Sequence, residues 1–142
     1  MKVESNVTID LVQSAPSVED YLALRKLVGW TVVDKPLAQQ ALSQSLFHVT
    51  AVSEGRTIGM ARIVGDGALF FYIQDLVVHP EVQQQGIGKL LMNEVERFIQ
   101  SNARLGATVG LFSAQGKEAF YQSFDYTKRD GHSLGLGMCK FL

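Results

Sequence analysis

Hydrophobic and polar positions change period several times along this chain, and each change marks an element. Val7, Ile9 and Leu11 alternate with Thr8, Asp10 and Val12, a period of two that predicts a strand. Pro16-Ser17 then opens a helix. Ser17 suits the N-cap, and Glu19 and Asp20 stand in the first turn, where the helix dipole favours acids. Val18, Tyr21, Leu22, Leu24, Leu27 and Val28 form its apolar face, and Gly29-Trp30 ends it. A second helix starts near Pro36, a residue at home in a first helical turn. Leu37, Ala41 and Leu42 are its buried stripe, and Asp34 suits its cap.

The middle of the chain switches to strands. Phe47–Ser53, Thr57–Val64 and Ala68–Val78 are apolar runs separated by Glu54-Gly55-Arg56 and Gly65-Asp66-Gly67, which predicts antiparallel hairpins. His79-Pro80 stops the third run. From Gly86 to about Asn102, Ile87, Leu90, Leu91, Val95, Phe98 and Ile99 return to helical spacing, with Glu94 and Arg97 on the outer face. Thr108–Phe112 is a short strand and Gly116–Ser123 a short helix. After a loop with glycines at 131, 135 and 137, Leu136–Phe141 closes as a last strand. The order β-α-α-β-β-β-α-β-α-β implies an α/β (mixed α+β) fold, a mixed sheet with helices packed on it. No repeat or linker interrupts residues 1–142, so one domain is expected.

Composition narrows the function. The 142 residues are 46% hydrophobic and 19% charged, which suits a folded core and not a disordered chain. Thirteen Lys+Arg against fourteen Asp+Glu leave a formal net charge of -1, so no broad field attracts nucleic acid or a membrane surface. The uncharged stretch Gly67–Gln74 is far too short to span a bilayer, and Met1–Asn6 lacks the apolar core of a signal peptide. A cytoplasmic protein is expected. The one cysteine, Cys139, excludes a disulfide framework. His48, His79 and His132 have no metal-ligand spacing, so no metal is implied. A capping or surface role suits His79, beside Pro80.

One segment carries chemistry. Asp75-Leu76-Val77-Val78-His79-Pro80-Glu81-Val82-Gln83-Gln84-Gln85-Gly86-Ile87-Gly88-Lys89 leads a strand through a Gln- and Gly-bearing loop directly into a helix. A helix start leaves backbone N–H groups without intrahelical partners, and those donors at the positive end of the dipole suit a phosphate. Gly86 and Gly88 remove side chains that would block a ligand. Lys89 adds a cation in the first turn, which makes sense beside a bound anion. The dinucleotide fingerprint and the Walker loop are both absent: no third glycine stands at position 91, and Lys89 is followed by Leu90.

Val78-x-Pro80-x-x-Gln83-x-x-Gly86-x-Gly88 resembles the acyl-CoA loop of the GNAT N-acetyltransferases, whose core is Gln/Arg-x-x-Gly-x-Gly/Ala. Ala119-Phe120-Tyr121-x-x-Phe124-Asp125-Tyr126 is similar to a second element of that family, with Phe124-Asp125-Tyr126 where Leu-Gly-Phe or Phe-Gly-Phe is common. The likeness is strong over residues 73–126 and only topological before residue 47. It implies a central mixed, mostly antiparallel sheet of six to seven strands with about four helices. It also implies acetyl-CoA as the cofactor and acetyl transfer to a primary amine by direct attack in a ternary complex. The pyrophosphate would lie on the amides of Gln84, Gln85, Gly86, Ile87, Gly88 and Lys89. Gln83, Leu76, Val77 and Val78 would complete the cofactor side, with Leu76 and Val78 pairing with the pantetheine arm and the Val78 N–H polarising the thioester carbonyl. Lys117 and Phe120 would meet the cofactor's outer parts.

Transfer needs a base for the amine and an acid for the departing thiolate. Tyr121 matches the family's acid, and a tyrosine stays protonated at neutral pH; the alternative is a core tyrosine beside Phe120. Asp75 is the carboxylate on an otherwise apolar strand. It is either the base or a hydrogen-bonded anchor, and a base acting through water is equally open. Trp30 and Tyr72 would wall the acceptor site, or Trp30 would be core. A small-molecule amine acceptor, no nucleic acid, no membrane and a homodimer paired through Met138–Leu142 are expected. Competing readings are a non-catalytic CoA-binding regulatory domain and an acyltransferase with another acyl group.

Overall fold

Five strands pair in chain order, β1-β2-β3-β4-β5. The computed structural model describes residues 8–142, as two compact units that divide between Leu111 and Phe112. Val7 of the first expected strand lies outside the described residues.

In the first unit, β1 (Asp10–Val12), β2 (Phe47–Ser53), β3 (Arg56–Gly65) and β4 (Phe70–Val78) are successively antiparallel, and β5 (Thr108–Leu111) joins β4 in parallel. Between β1 and β2 run helices α1 (Val18–Leu27) and α2 (Lys35–Ser43), and α3 (Ile87–Asn102) connects β4 to β5. The caps follow sequence logic. Ser17 Oγ accepts from the Asp20 N–H at 3.1 Å, and Asp34 Oδ1 accepts from the Leu37 N–H at 2.8 Å. The Gly65–Leu69 turn is tied by Asp66, whose Oδ1 accepts from the amides of Ala68, Leu69 and Phe70 at 2.8–3.0 Å.

The helices cover opposite faces of the sheet. Met60 and Val77 pack with Val18, Tyr21, Leu24, Ala38 and Leu42 of α1 and α2. Neighbouring Gly59 points the other way, as strand alternation requires. A Cβ there would lie 3.1 Å from the Val77 carbonyl oxygen and 3.2 Å from Leu91 of α3. Glycine at 59 therefore lets α3 approach the sheet closely, and Ile87, Leu91, Met92 and Val95 are buried beneath it. Phe47 of β2 stacks on Phe98 of α3 at 4.7 Å between ring centres.

In the second unit the regular element is α4 (Glu118–Gln122). The expected strand over Leu136–Phe141 is not formed, so among the described residues the sheet has five strands and not six or seven. A strand exists only with a neighbour to share its ladder, and the second unit offers none among the described residues. Leu136, Met138 and Phe141 are exposed; their apolar side chains have no ladder to join.

Candidate active site

The parallel β4–β5 pairing is short. It ends at Ile73 opposite Leu111, while β4 runs on to Val78. Gln74–Val78 therefore pass the end of the last β5 pair and open one edge of β4. On the other edge the β3 register shifts: Arg62 faces Gln74 and Met60 faces Val77, so Asp75 and Leu76 together oppose Ala61. This is a β-bulge, and Asp75 within it has φ +57°. The His79 N–H donates to the Ile58 carbonyl at 2.7 Å. By antiparallel alternation Val78, opposite Gly59, therefore turns its N–H and C=O away from β3 toward the open edge.

The loop after β4 converges on the start of α3. A single 3-10 turn spans Pro80–Val82, capped by His79, whose Nδ1 accepts from the Glu81 N–H at 3.2 Å. The Gln83 side-chain amide donates to the Val78 carbonyl at 3.1 Å and braces the loop against the strand end. Gln84 and Gly86 both have left-handed backbone, at φ +65° and +82°. Space is open around Gly86, so glycine there answers the backbone angle. The first intrahelical bond of α3 runs from the Leu90 N–H to the Gly86 carbonyl at 3.1 Å, and no side chain caps the helix. The amides of Ile87, Gly88 and Lys89 precede that bond and have no helical acceptor. Gln84, Gln85, Gly86 and Lys89 are exposed. An anion can reach this cradle of N–H groups at the positive end of a 16-residue helix.

Behind the strand lies a buried polar cluster. The Asp75 side chain is fully buried. Its Oδ2 accepts from the Tyr21 hydroxyl and from Arg62 Nε, both at 2.6 Å, and its Oδ1 accepts from the Gln74 amide at 3.0 Å. Arg25 Nη1 stands 3.5 Å from Oδ1. Arg62 also donates to Ser45 Oγ at 3.0 Å and reaches the Ala41 carbonyl at 3.4 Å, tying β3 to α2. Arg25 donates to the Thr31 carbonyl at 2.8 Å and lies over the Tyr21 and Trp30 rings. Burial, then the Asp75 carboxylate, pushes the Tyr21 hydroxyl above the usual tyrosine range.

Of the residues expected from the sequence, Leu76, Val77, Val78, Gln83, Gln84, Gln85, Gly86, Ile87, Gly88 and Lys89 form this continuous edge and cradle. Val77 and Ile87 are core: both are buried and can offer only backbone. Both Asp75 oxygens are engaged and none of its side chain is exposed. Trp30 is half-buried against the α1–α2 core. Tyr72 lines a shallow apolar cavity of about 210 Å³ with Phe70, Phe71, Thr108 and Gly110. In the second unit, half-buried Tyr121 and Phe120 meet edge-to-face at 5.1 Å, and Lys117 precedes α4 and is exposed. Tyr21, Arg25, Arg62 and Gly59 were not expected at the site. One signal was available: Arg62 is a single charge in the apolar strand Ile58–Val64, and Asp75 is its counterpart in the next strand.

The family model of the acetyltransferase (GNAT) domain matches residues 18–135, and the chain belongs to this family. The match runs across both units. The chain is 33% identical over 132 residues to the "Uncharacterized N-acetyltransferase ycf52-like" of Prochlorococcus marinus, covering 88% of this chain and 72% of that one. It is 30% identical over 107 residues to the "Uncharacterized N-acetyltransferase ycf52" of Porphyra purpurea, covering 71% of this chain and 59% of the relative. A structure from meticillin-resistant Staphylococcus aureus, described as a "Probable Acetyltransferase", superimposes with a TM-score of 0.85 at 28% identity, covering 94% of this chain and 100% of that one. No helix among the described residues is long and apolar enough to cross a membrane.

Proposed function

We propose that this protein is an acetyl-CoA-dependent N-acetyltransferase acting on a small primary amine. The observation that carries the reading is the cradle at Gln84–Lys89 placed at the end of the unpaired β4 edge. An anion site and an extended-chain site adjoin on one short segment, which suits a ligand with a pyrophosphate at one end and an amide-bearing arm at the other. Acetyl-CoA would supply the acetyl group as a thioester, and the acceptor nitrogen would displace the thiol. The chain's own groups divide the remaining work. The Gln84–Lys89 amides hold the pyrophosphate, with Lys89 adding a cation and Gln83 bracing the loop. The outward amide of Val78 donates to the thioester carbonyl oxygen as its charge builds, and Leu76 and Val78 offer ladder bonds to the arm. Tyr121 gives its proton to the departing sulfur. With Asp75 engaged elsewhere, water carries the amine's proton away. Trp30 and Tyr72 form aromatic contacts to the acceptor, and Lys117 and Phe120 contact the cofactor's outer parts. Residues 1–142 act as one acetyltransferase domain, in the cytoplasm and as a homodimer.

Calorimetry with acetyl-CoA tests the reading. Micromolar binding is expected, about -8 kcal/mol by the affinity relation. Gly86→Glu should abolish it, by placing a carboxylate and a strained φ in the cradle. Equal binding by Gly86→Glu would show that the loop is only a turn. Absence of binding by the wild type would remove the whole proposal.

A further inference from the structure

The buried charge cluster is larger than strand pairing requires, and it sits at the bulge that shapes the open edge. A non-glycine residue at φ +57° is disfavoured unless the surroundings impose it. At Asp75 the imposing contacts come from three elements: Tyr21 from α1, Arg62 from β3, and, through Arg62, the last turns of α2 at Ala41, with Ser45 just beyond the helix. The bulge inserts an extra residue between Gln74 and Val77. A one-residue change of register reverses which backbone and side-chain groups face each side of a strand. Without the insertion, Val78 would turn its N–H toward β3 and not toward the open edge.

We propose that Asp75, held by Tyr21 and Arg62, is a positioning residue that locks the β4 bulge and so aims the Val78 N–H at the acyl carbonyl. The inference rests on the acetyl-CoA reading above. Asp75 touches neither cofactor nor acceptor; it acts through the backbone three residues away. The cluster also makes the aim depend on α1 and α2, because Tyr21 belongs to α1 and the Ala41 carbonyl that Arg62 reaches belongs to α2.

The test needs no acceptor. Acetyl-CoA labelled with 13C at the thioester carbonyl is bound to the wild type and to two variants, and the carbonyl stretch is read by isotope-edited infrared spectroscopy. Tyr21→Phe removes one of the two donors to Asp75 Oδ2 and keeps the ring packing. Asp75→Asn keeps the shape and removes the charge. For the wild type, a shift to lower frequency on binding is expected, because the bound carbonyl accepts a hydrogen bond. Both variants should keep their affinity for acetyl-CoA within about threefold, since the cradle is untouched. The Tyr21→Phe shift should fall by about half or more, since the donor geometry at the carbonyl is lost. A full wild-type shift in Tyr21→Phe and in whatever folded Asp75→Asn is obtained would overturn the positioning role and leave the acetyl-CoA reading standing. Binding by the wild type without a shift would also overturn it. No binding by the wild type would overturn the acetyl-CoA reading, and this inference with it.

Discussion

Arg62 and Asp75 share one short ion pair inside the sheet, and the cost of breaking it is asymmetric. Removing the arginine leaves a fully buried carboxylate with Tyr21, Gln74 and the more distant Arg25 as its partners. Breaking a buried pair from one side costs about 3–5 kcal/mol. Arg62→Leu is therefore expected to lower the free energy of unfolding in urea by about that amount, and a loss under about 1 kcal/mol would show that Arg25 moves in to compensate. His48 gives a second residue-scale prediction. Its Nε2 bonds the Leu42 carbonyl at 2.7 Å, and Nδ1 is buried without a partner. Burial, with a smaller contribution from Arg62, holds its pKa below the ordinary histidine value, against the opposing pull of the Leu42 carbonyl. The unfolded chain then binds the extra proton first as pH falls. The stability His48 contributes is complete above about pH 6.5 and is lost as pH falls below that value. In melting curves between pH 7.5 and 5, His48→Gln should fall less steeply than the wild type; parallel curves would place the acid sensitivity elsewhere.

At the scale of elements, the close approach of α3 to β3 depends on a missing side chain. Gly59→Val would put branched atoms where even a Cβ already meets Val77 O at 3.1 Å and Leu91 at 3.2 Å. Overpacking of this kind costs about 1–3 kcal/mol. Because α3 begins at the cradle, acetyl-CoA affinity should fall along with the denaturant midpoint. Lost stability with unchanged affinity would mean that the helix start is held by the loop and not by its seat on the sheet. The sequence read these elements well where local chemistry decides them. Ser17 and Asp34 cap α1 and α2 as their types suggest, β2 spans Phe47–Ser53 as expected, and Glu94–Arg97 pair at 2.6 Å. It misread Leu136–Phe141, because an apolar segment states a preference for a ladder and not the presence of a neighbour. Gly59 passed unnoticed because a glycine inside a strand does not announce what packs over it.

At the scale of the whole molecule, a ligand that binds only the folded state stabilises it by mass action. Acetyl-CoA at about 100 times its dissociation constant should add about 2.7 kcal/mol, a rise of several degrees in melting temperature that nicotinamide dinucleotides should not produce. Equal shifts from both ligands would point to a general phosphate site. The sequence by itself determined the alternation of elements, the caps, the glycine-rich strand-to-helix loop and the family resemblance. These are local: spacing, backbone freedom at Gly86 and the orphan amides of a helix start are properties of neighbouring residues. The tertiary structure decided the rest. It counted the strands, since pairing needs a second strand. It ended β5 before β4, which opens the edge. It gave Asp75, the carboxylate that the sequence offered equally as base or anchor, two hydrogen-bond partners in Tyr21 and Arg62, 54 and 13 residues away. A charge in an apolar strand states that a partner is required; only the packed sheet, by excluding water and bringing distant donors within hydrogen-bond reach, selects which one.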